Sequence, residues 1–257
     1  MVDKAKELTP ADKYLEVELL FHDLGRQMTQ AVASYYIWST LHFSLSRAEV
    51  GEETAQNNLV AIKPYHYFFV HTEFAHLHSF ILAITKFYDR TADSNTINNI
   101  LNKLQQYAID ITPEVIKSTR PDKFDEEGLS SMANLFYDQT TLNKIDLIRS
   151  NNSALVSKLF NFRNKVIAHN EYGTDFDRSF IPTEVEALIA DSQKIFNLLQ
   201  HNAYLATTDW TGMKEESVRH TKQLLETLNL GETTRIANIR RKYNVSLDES
   251  ENFSRNA

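Results

Sequence analysis

Arg163-Asn164-Lys165-Val166-Ile167-Ala168-His169 is the one stretch of this chain whose residue types and spacing suit a reaction. A guanidinium is always charged, and its planar fork matches the oxygens of a phosphate. A histidine titrates near neutrality, so it takes or gives a proton at physiological pH. Together they can cut RNA without a metal. The histidine helps the ribose 2′-hydroxyl attack its own phosphate, or protonates the leaving oxygen, while the arginine stabilises the charge that builds on phosphorus. On an unbroken α-helix, six positions rotate the second residue roughly 120° away from the first. Arg163 and His169 therefore share a site only if the helix ends between them or a second subunit completes it. Asn170 and Gly173, both common near helix ends, follow at once.

The other constellations point elsewhere. His66, His71, His76 and His78 crowd one segment, but none of them pairs at the three- or four-residue spacing that metal ligation on a helix requires. Glu73-Phe74-Ala75-His76 is a single Glu-x-x-His, and a di-iron bundle needs that motif on two helices. These histidines read as packing residues, so no metal and no cofactor is expected. Tyr65, Tyr67, Phe68, Phe69, Phe74, Phe80, Phe87 and Tyr88 read as core, as do Tyr35, Tyr36 and Trp38. From Lys214 to Tyr243 there are seven Lys/Arg against four Asp/Glu. Within it Arg235, Arg240, Arg241 and Lys242 are candidates for contact with RNA phosphates, as is Lys165 beside the arginine. The glycine-rich signatures of P-loop, Rossmann and α/β-hydrolase sites are missing.

Composition sets the frame that must hold these residues. The chain has 257 residues, 42% of them hydrophobic, with 15 Phe and 11 Tyr, enough for a sizeable core. Only 6 Gly and 5 Pro punctuate it, which favours helices over sheets joined by tight turns. With no cysteine, disulfides and thiolate chemistry are excluded, and a reducing cytoplasmic setting is expected. The first residues carry no apolar signal-peptide core, and Ala31 to Leu45 is too polar for a membrane span. A net charge of −7 excludes a global polyanion binder, so any nucleic-acid contact must be a local patch.

The pattern predicts helices over about 10–47, 66–90 and 96–108, with Ser94 or Asn95 capping the last of these. Leu15, Leu19, Leu20, Leu24, Met28, Ala31 and Tyr35 mark the apolar face of the first. Residues 51–58 read as a loop, and a short helix followed by a loop is expected over 111–128. Further helices follow near 129–150 and 152–168, separated by Asn151-Asn152-Ser153, which offers a cap, then at 183–204, 214–230 and 233–243. The expected fold is all-α. An antiparallel helical bundle spans 10–205, a C-terminal helical annex 206–245, and a flexible tail 246–257.

Arg163-Asn164, an apolar run and a closing Ala168-His169 resemble the R-x(4–6)-H signature of the HEPN superfamily. The upstream chain resembles its abortive-infection AbiU-like branch. There an aromatic-rich helix ends in a Leu/Phe-Asp pattern and a short Leu/Ile helix follows. Here these are His78-Ser79-Phe80-Ile81-Leu82-Ala83-Ile84-Thr85-Lys86-Phe87-Tyr88-Asp89-Arg90 and Thr96-Ile97-Asn98-Asn99-Ile100-Leu101-Asn102-Lys103-Leu104. The resemblance covers about residues 15–205. It implies a bundle that dimerises, with two arginine–histidine pairs lining a shared cleft. It also implies a metal-independent endoribonuclease, a toxin serving antiviral defence. Arg163 would bind phosphate, His169 would act as acid or base, and Asn164 would lend a polar contact. In members paired with a nucleotidyltransferase antitoxin, a modified tyrosine follows the histidine after one residue. Tyr172 stands one residue further on, in His169-Asn170-Glu171-Tyr172. It is the candidate modification site should an antitoxin or other regulatory partner exist. The rival expectation is a non-catalytic helical interaction or dimerisation module, since a bundle does not fix function.

Overall fold

Thr9 opens the first helix through reciprocal capping. Its hydroxyl accepts from the Asp12 amide at 3.2 Å, and its own amide donates to the Asp12 carboxylate at 3.1 Å. Pro10 takes the first helical position, where a missing N–H costs nothing, and α1 runs Pro10–His42. This computed structural model describes residues 7–91, 96–121, 125, 127–128, 138–168 and 181–243, with the side chains of 166–168 excluded. Among them every regular element is helical: no strand occurs. The fold is the expected all-α bundle.

After α1 come a 3₁₀ turn at Phe43–Leu45 and the short α2, Arg47–Val50. They are followed by α3 (Glu52–Ile62), a second 3₁₀ turn and α4 (His66–Phe87). Then come α5 (Ile97–Tyr107), α6 (Pro113–Thr119), α7 (Gln139–Asn151) and α8 (Ser153–Phe162). A π-helical turn spans Arg163–Ala168, before α9 (Pro182–Tyr204) and α10 (Thr211–Tyr243). No helix among the described residues is long and apolar enough to cross a membrane.

The chain forms two compact units. One comprises Met1–Ser34 with His78–Met213, the other Tyr35–Leu77 with Lys214–Ala257. The contacts thus group the C-terminal helix with a mid-chain segment, a grouping unlike the linear order of bundle, annex and tail. The tail expected over 246–257 lies outside the described residues.

In the first unit α1 buries Tyr14, Val17, Phe21, Leu24, Met28 and Ala31. This stripe is offset from the expected one, because Leu19 is 67% exposed. Against the core lie Ile81, Ile84 and Phe87 of α4, Ile97 and Ile100 of α5, and Leu188, Ile195 and Phe196 of α9, all buried. Lys103 fixes the α1 flank, its ammonium 2.8 Å from Glu16, which also accepts from the Tyr107 hydroxyl at 2.6 Å. In the second unit Leu41, Ile62, Phe69 and Leu225 form the core.

Several local expectations are corrected. Residues 51–58 are not a loop: α3 begins at Glu52, and the polar run Gln56-Asn57-Asn58 is helical. Asn58 is buried, donates to the Ser44 carbonyl at 2.9 Å and accepts from Asn229 at 3.0 Å, so tertiary bonds stabilise a residue of weak helix propensity. Thr96 caps α5, its hydroxyl accepting from the Asn99 amide, while the expected caps Ser94 and Asn95 lie outside the described residues. The Asn152 side chain does not cap α8. Its amide donates instead to the Ile148 carbonyl and to Asp191. The two C-terminal helices are one, α10 passing through Gly231 without a break. Just beyond, buried Glu232 ties the segment down by accepting from Arg235 at 2.7 Å and Tyr65 at 3.2 Å. The aromatic series is only half core, since Tyr65, Tyr67, Phe68 and Phe74 are exposed. Near-consecutive residues on a helix cannot all face inward.

Candidate functional site

α8 ends at Phe162, and the backbone changes from α to π hydrogen bonding at Arg163. This is the only π segment among the described residues. Single π turns inside helices are rare and recur at functional sites. The α-helical angle between positions 163 and 169 therefore does not apply here, because the intervening backbone is not α-helical. His169 and Tyr172 lie outside the described residues. The structure fixes the arginine half of the motif.

Three groups hold the Arg163 side chain. Its guanidinium lies over the Phe160 ring, 4.6 Å from the centroid. Its Nε donates to Asn164 Oδ1 at 3.2 Å. One Nη stands 3.5 Å from Asp89 Oδ2, an ion pair at the outer limit of hydrogen bonding. Both partners are about a quarter exposed, at 26% and 27%. Asn164 thus supports the arginine directly, while Lys165 is exposed on the same turn.

Asp89 sits just past the end of α4, where the chain turns toward α5. Its Oδ1 accepts from the Thr91 hydroxyl at 2.6 Å and the Thr91 amide at 3.1 Å, which leaves Oδ2 for Arg163. The Thr91 hydroxyl, the amides of Thr91 and Arg90, and then Arg163 hold its carboxyl below the usual carboxylate range, against the opposing effect of partial burial. It is therefore a carboxylate at neutral pH. Its carbonyl accepts from Asn98 Nδ2 at 2.9 Å, and Asn98 Oδ1 accepts from Arg149 at 2.7 Å. One asparagine of α5 thereby links the α4 end to a guanidinium of α7.

A cleft of about 490 Å³ opens here, lined among others by Asp89, Arg90, Arg149, Val156 and Phe160. Tyr88 closes one side, its hydroxyl 2.9 Å from Ser192 Oγ, which itself donates to the Leu188 carbonyl. Burial pushes the Tyr88 phenol up to about 12, so it stays protonated and serves as a donor rather than a base. The arrangement can hold an anion: Arg90 and Arg149 line the cleft, and Arg163 stands at its edge against Asp89. Among the described residues no group of three or more histidine or acidic side chains is placed to hold a metal ion.

Sequence reasoning located Arg163 and Asn164 but gave no role to Asp89, Asn98 or Arg149. Asp89 and Asn98 stand inside the segments quoted for the family resemblance, and that was their only signal. The basic residues of α10 belong to the other unit. There Arg235 is paired with Glu232, Lys242 lies 5.3 Å from the Tyr243 ring centroid, Arg241 is exposed and Arg240 half-buried. Of the four clustered histidines, His66 and His71 are exposed, while partial burial lowers the values of His76 and His78.

The model of the HEPN family AbiU2 matches residues 14–224. The chain belongs to the AbiU2 family. It is thus a HEPN-type abortive-infection protein. The match includes Arg163, His169 and every residue named around the cleft. No curated protein and no solved structure matches this AbiU2-family chain.

Proposed function

We propose that this AbiU2-family protein is a metal-independent endoribonuclease, a toxin that acts as an abortive-infection effector against phage in the cytoplasm. The observation that carries the reading is Arg163, presented on a π turn and held between Asp89 and Phe160 at the edge of a cationic cleft. His169 removes the proton of a ribose 2′-hydroxyl, and the oxygen attacks the adjacent phosphorus. The bond to the 5′-oxygen breaks, a proton passes to that oxygen, and a 2′,3′-cyclic phosphate remains. Arg163 stabilises the charge that develops on the phosphate oxygens. Two protomers pair their arginine–histidine sets across a shared cleft, so that one histidine serves as base and the other as acid. Lys165, Arg235, Arg240, Arg241 and Lys242 contribute further phosphate contacts. Tyr172 is the place where an antitoxin or regulatory partner would act.

The test is cleavage of single-stranded RNA in EDTA by the wild type, His169→Ala and Arg163→Ala. The expected result is cleavage by the wild type and loss of most of it in both variants. Undiminished cleavage by the His169→Ala protein removes that residue from the mechanism. A second reading, a non-catalytic interaction module, is favoured by the contacts that already satisfy Arg163. A wild type that stays inert with and without its partners, yet dimerises through Arg163, supports that reading.

A further inference from the structure

The cutting mechanism uses Arg163 at the edge of the cleft and leaves the Arg149 guanidinium, which lines it, without a task. Arg149, on α7, is aimed by Asn98, and its remaining arm stands 3.5 Å from Asp146. The Asp146 side chain is 72% exposed, so this pair is screened and yields readily to a better anion. Arg90 lines the same cleft and is exposed. The single acidic lining residue, Asp89, is already engaged with Thr91 and Arg163. The lining therefore carries net positive charge in a protein whose overall charge is −7. Val156 and Phe160 supply an apolar wall, and Ser153 and Ser157 a polar one. The volume of about 490 Å³ falls within the roughly 300–1,000 Å³ of small-ligand pockets, room enough for one nucleotide.

We infer that this cleft is the subsite for the nucleotide neighbouring the scissile phosphate. Arg149 and Arg90 grip its phosphodiester, and Val156 and Phe160 flank its sugar or base. The inference rests on the endoribonuclease reading and adds to it a binding site distinct from the reacting groups. Asn98 is then a positioning residue. Through its carbonyl oxygen it fixes the direction of Arg149, and through its amide it ties that arm to the backbone of Asp89, whose carboxylate holds Arg163.

The test is binding of a short single-stranded RNA of mixed sequence to full-length His169→Ala protein, followed by fluorescence anisotropy over a series of salt concentrations. Arg149→Ala, Arg149→Lys and Arg90→Ala are added in turn, each checked for its melting temperature. Arg149→Ala should weaken binding about tenfold, as expected for a lost charge-assisted contact. It should also reduce the slope of log affinity against log salt by about 0.7, the counterion release of one phosphate contact on a single strand. Arg149→Lys should keep the slope and lose affinity, because an ammonium retains the charge but not the fork. Arg90→Ala, at an exposed position, should lower the slope without a change in melting temperature. Tight binding with the same slope in Arg149→Ala and Arg90→Ala overturns the subsite and leaves the endoribonuclease reading standing. No RNA binding by the His169→Ala parent overturns both.

Discussion

Asp89→Asn separates the positioning of Arg163 from the stability of the fold. The two carboxylate oxygens have different tasks: Oδ1 takes both bonds from Thr91, and Oδ2 faces Arg163. An asparagine can keep its oxygen on Thr91 and turn its NH₂ toward the guanidinium. The Thr91 turn then survives, and the ion pair becomes a contact between two donors. Two unit charges about 4 Å apart attract by roughly 4 kcal/mol at an effective dielectric constant near 20. Solvent access to both partners, and the entropy of holding a long side chain, reduce this to about 0.5–1 kcal/mol of net stability. For a chain of this size that corresponds to a fall in Tm of about 2 °C.

The effect on cleavage should be larger. In the proposed mechanism Arg163 stabilises charge only where its donors meet the developing phosphorane, and a misplacement of about 1 Å can cost on the order of a hundredfold in rate. Phe160 and Asn164 retain part of the orientation, so the expected loss in kcat is about tenfold, with KM little changed. The assay is cleavage of a fluorescent single-stranded RNA in EDTA, run beside a thermal melt of the same preparation. The reasoning is refuted if kcat stays within about twofold of the wild type while Tm falls as stated. Asp89 would then be a structural partner of Arg163 and nothing more. Asp89→Ala should show a larger fall in Tm than Asp89→Asn, because it also releases Thr91.

Other perturbations give sharp expectations. Gly231→Ala should stabilise the protein by about 0.5–1 kcal/mol, since the position is inside α10 and nothing lies within 4 Å of an added Cβ; a higher Tm checks it. Tyr88→Phe should cost about 1 kcal/mol in urea unfolding, because Ser192 loses a buried donor while keeping its own bond to Leu188. Burial raises the value of Glu16, but its bonds to Lys103 and Tyr107 outweigh that and leave it depressed. The stability it contributes is therefore present above the ordinary carboxylate range and lost as pH falls through the lower folded value. Glu16→Gln should flatten that acid limb in urea midpoints compared between about pH 7 and pH 3.

What the sequence disclosed was set by how far apart the interacting residues lie. Signals that act within one turn were readable. Pro10 with Asp12 opens α1, and Pro182 opens α9, because a cap or a fixed φ acts on its own neighbours. Signals that depend on a distant partner misled. The asparagines of α3 looked like a turn, yet Asn58 is helical because it bonds to Ser44 and Asn229, the latter 171 positions away. The gap between 214–230 and 233–243 looked like a break, and buried Glu232 with Arg235 and Tyr65 carries the helix on. The candidate site divides along the same line. Arg163 and Asn164 are adjacent, and their mutual bond was legible as a motif. Asp89 lies 74 positions from Arg163, and Asn98 lies 51 from Arg149. No periodicity or spacing rule joins such pairs; only the packing of the helices brings them together. The same distance gives the pairs their diagnostic value. If Asp89 merely ended α4, a Thr91 turn would suffice, with no need to present the second carboxylate oxygen to a guanidinium at the start of a π turn. That oxygen joins the connection after α4 to the π turn that follows α8. A change at Asp89 should therefore be felt first in how Arg163 meets a phosphate, and only weakly in whether the bundle folds.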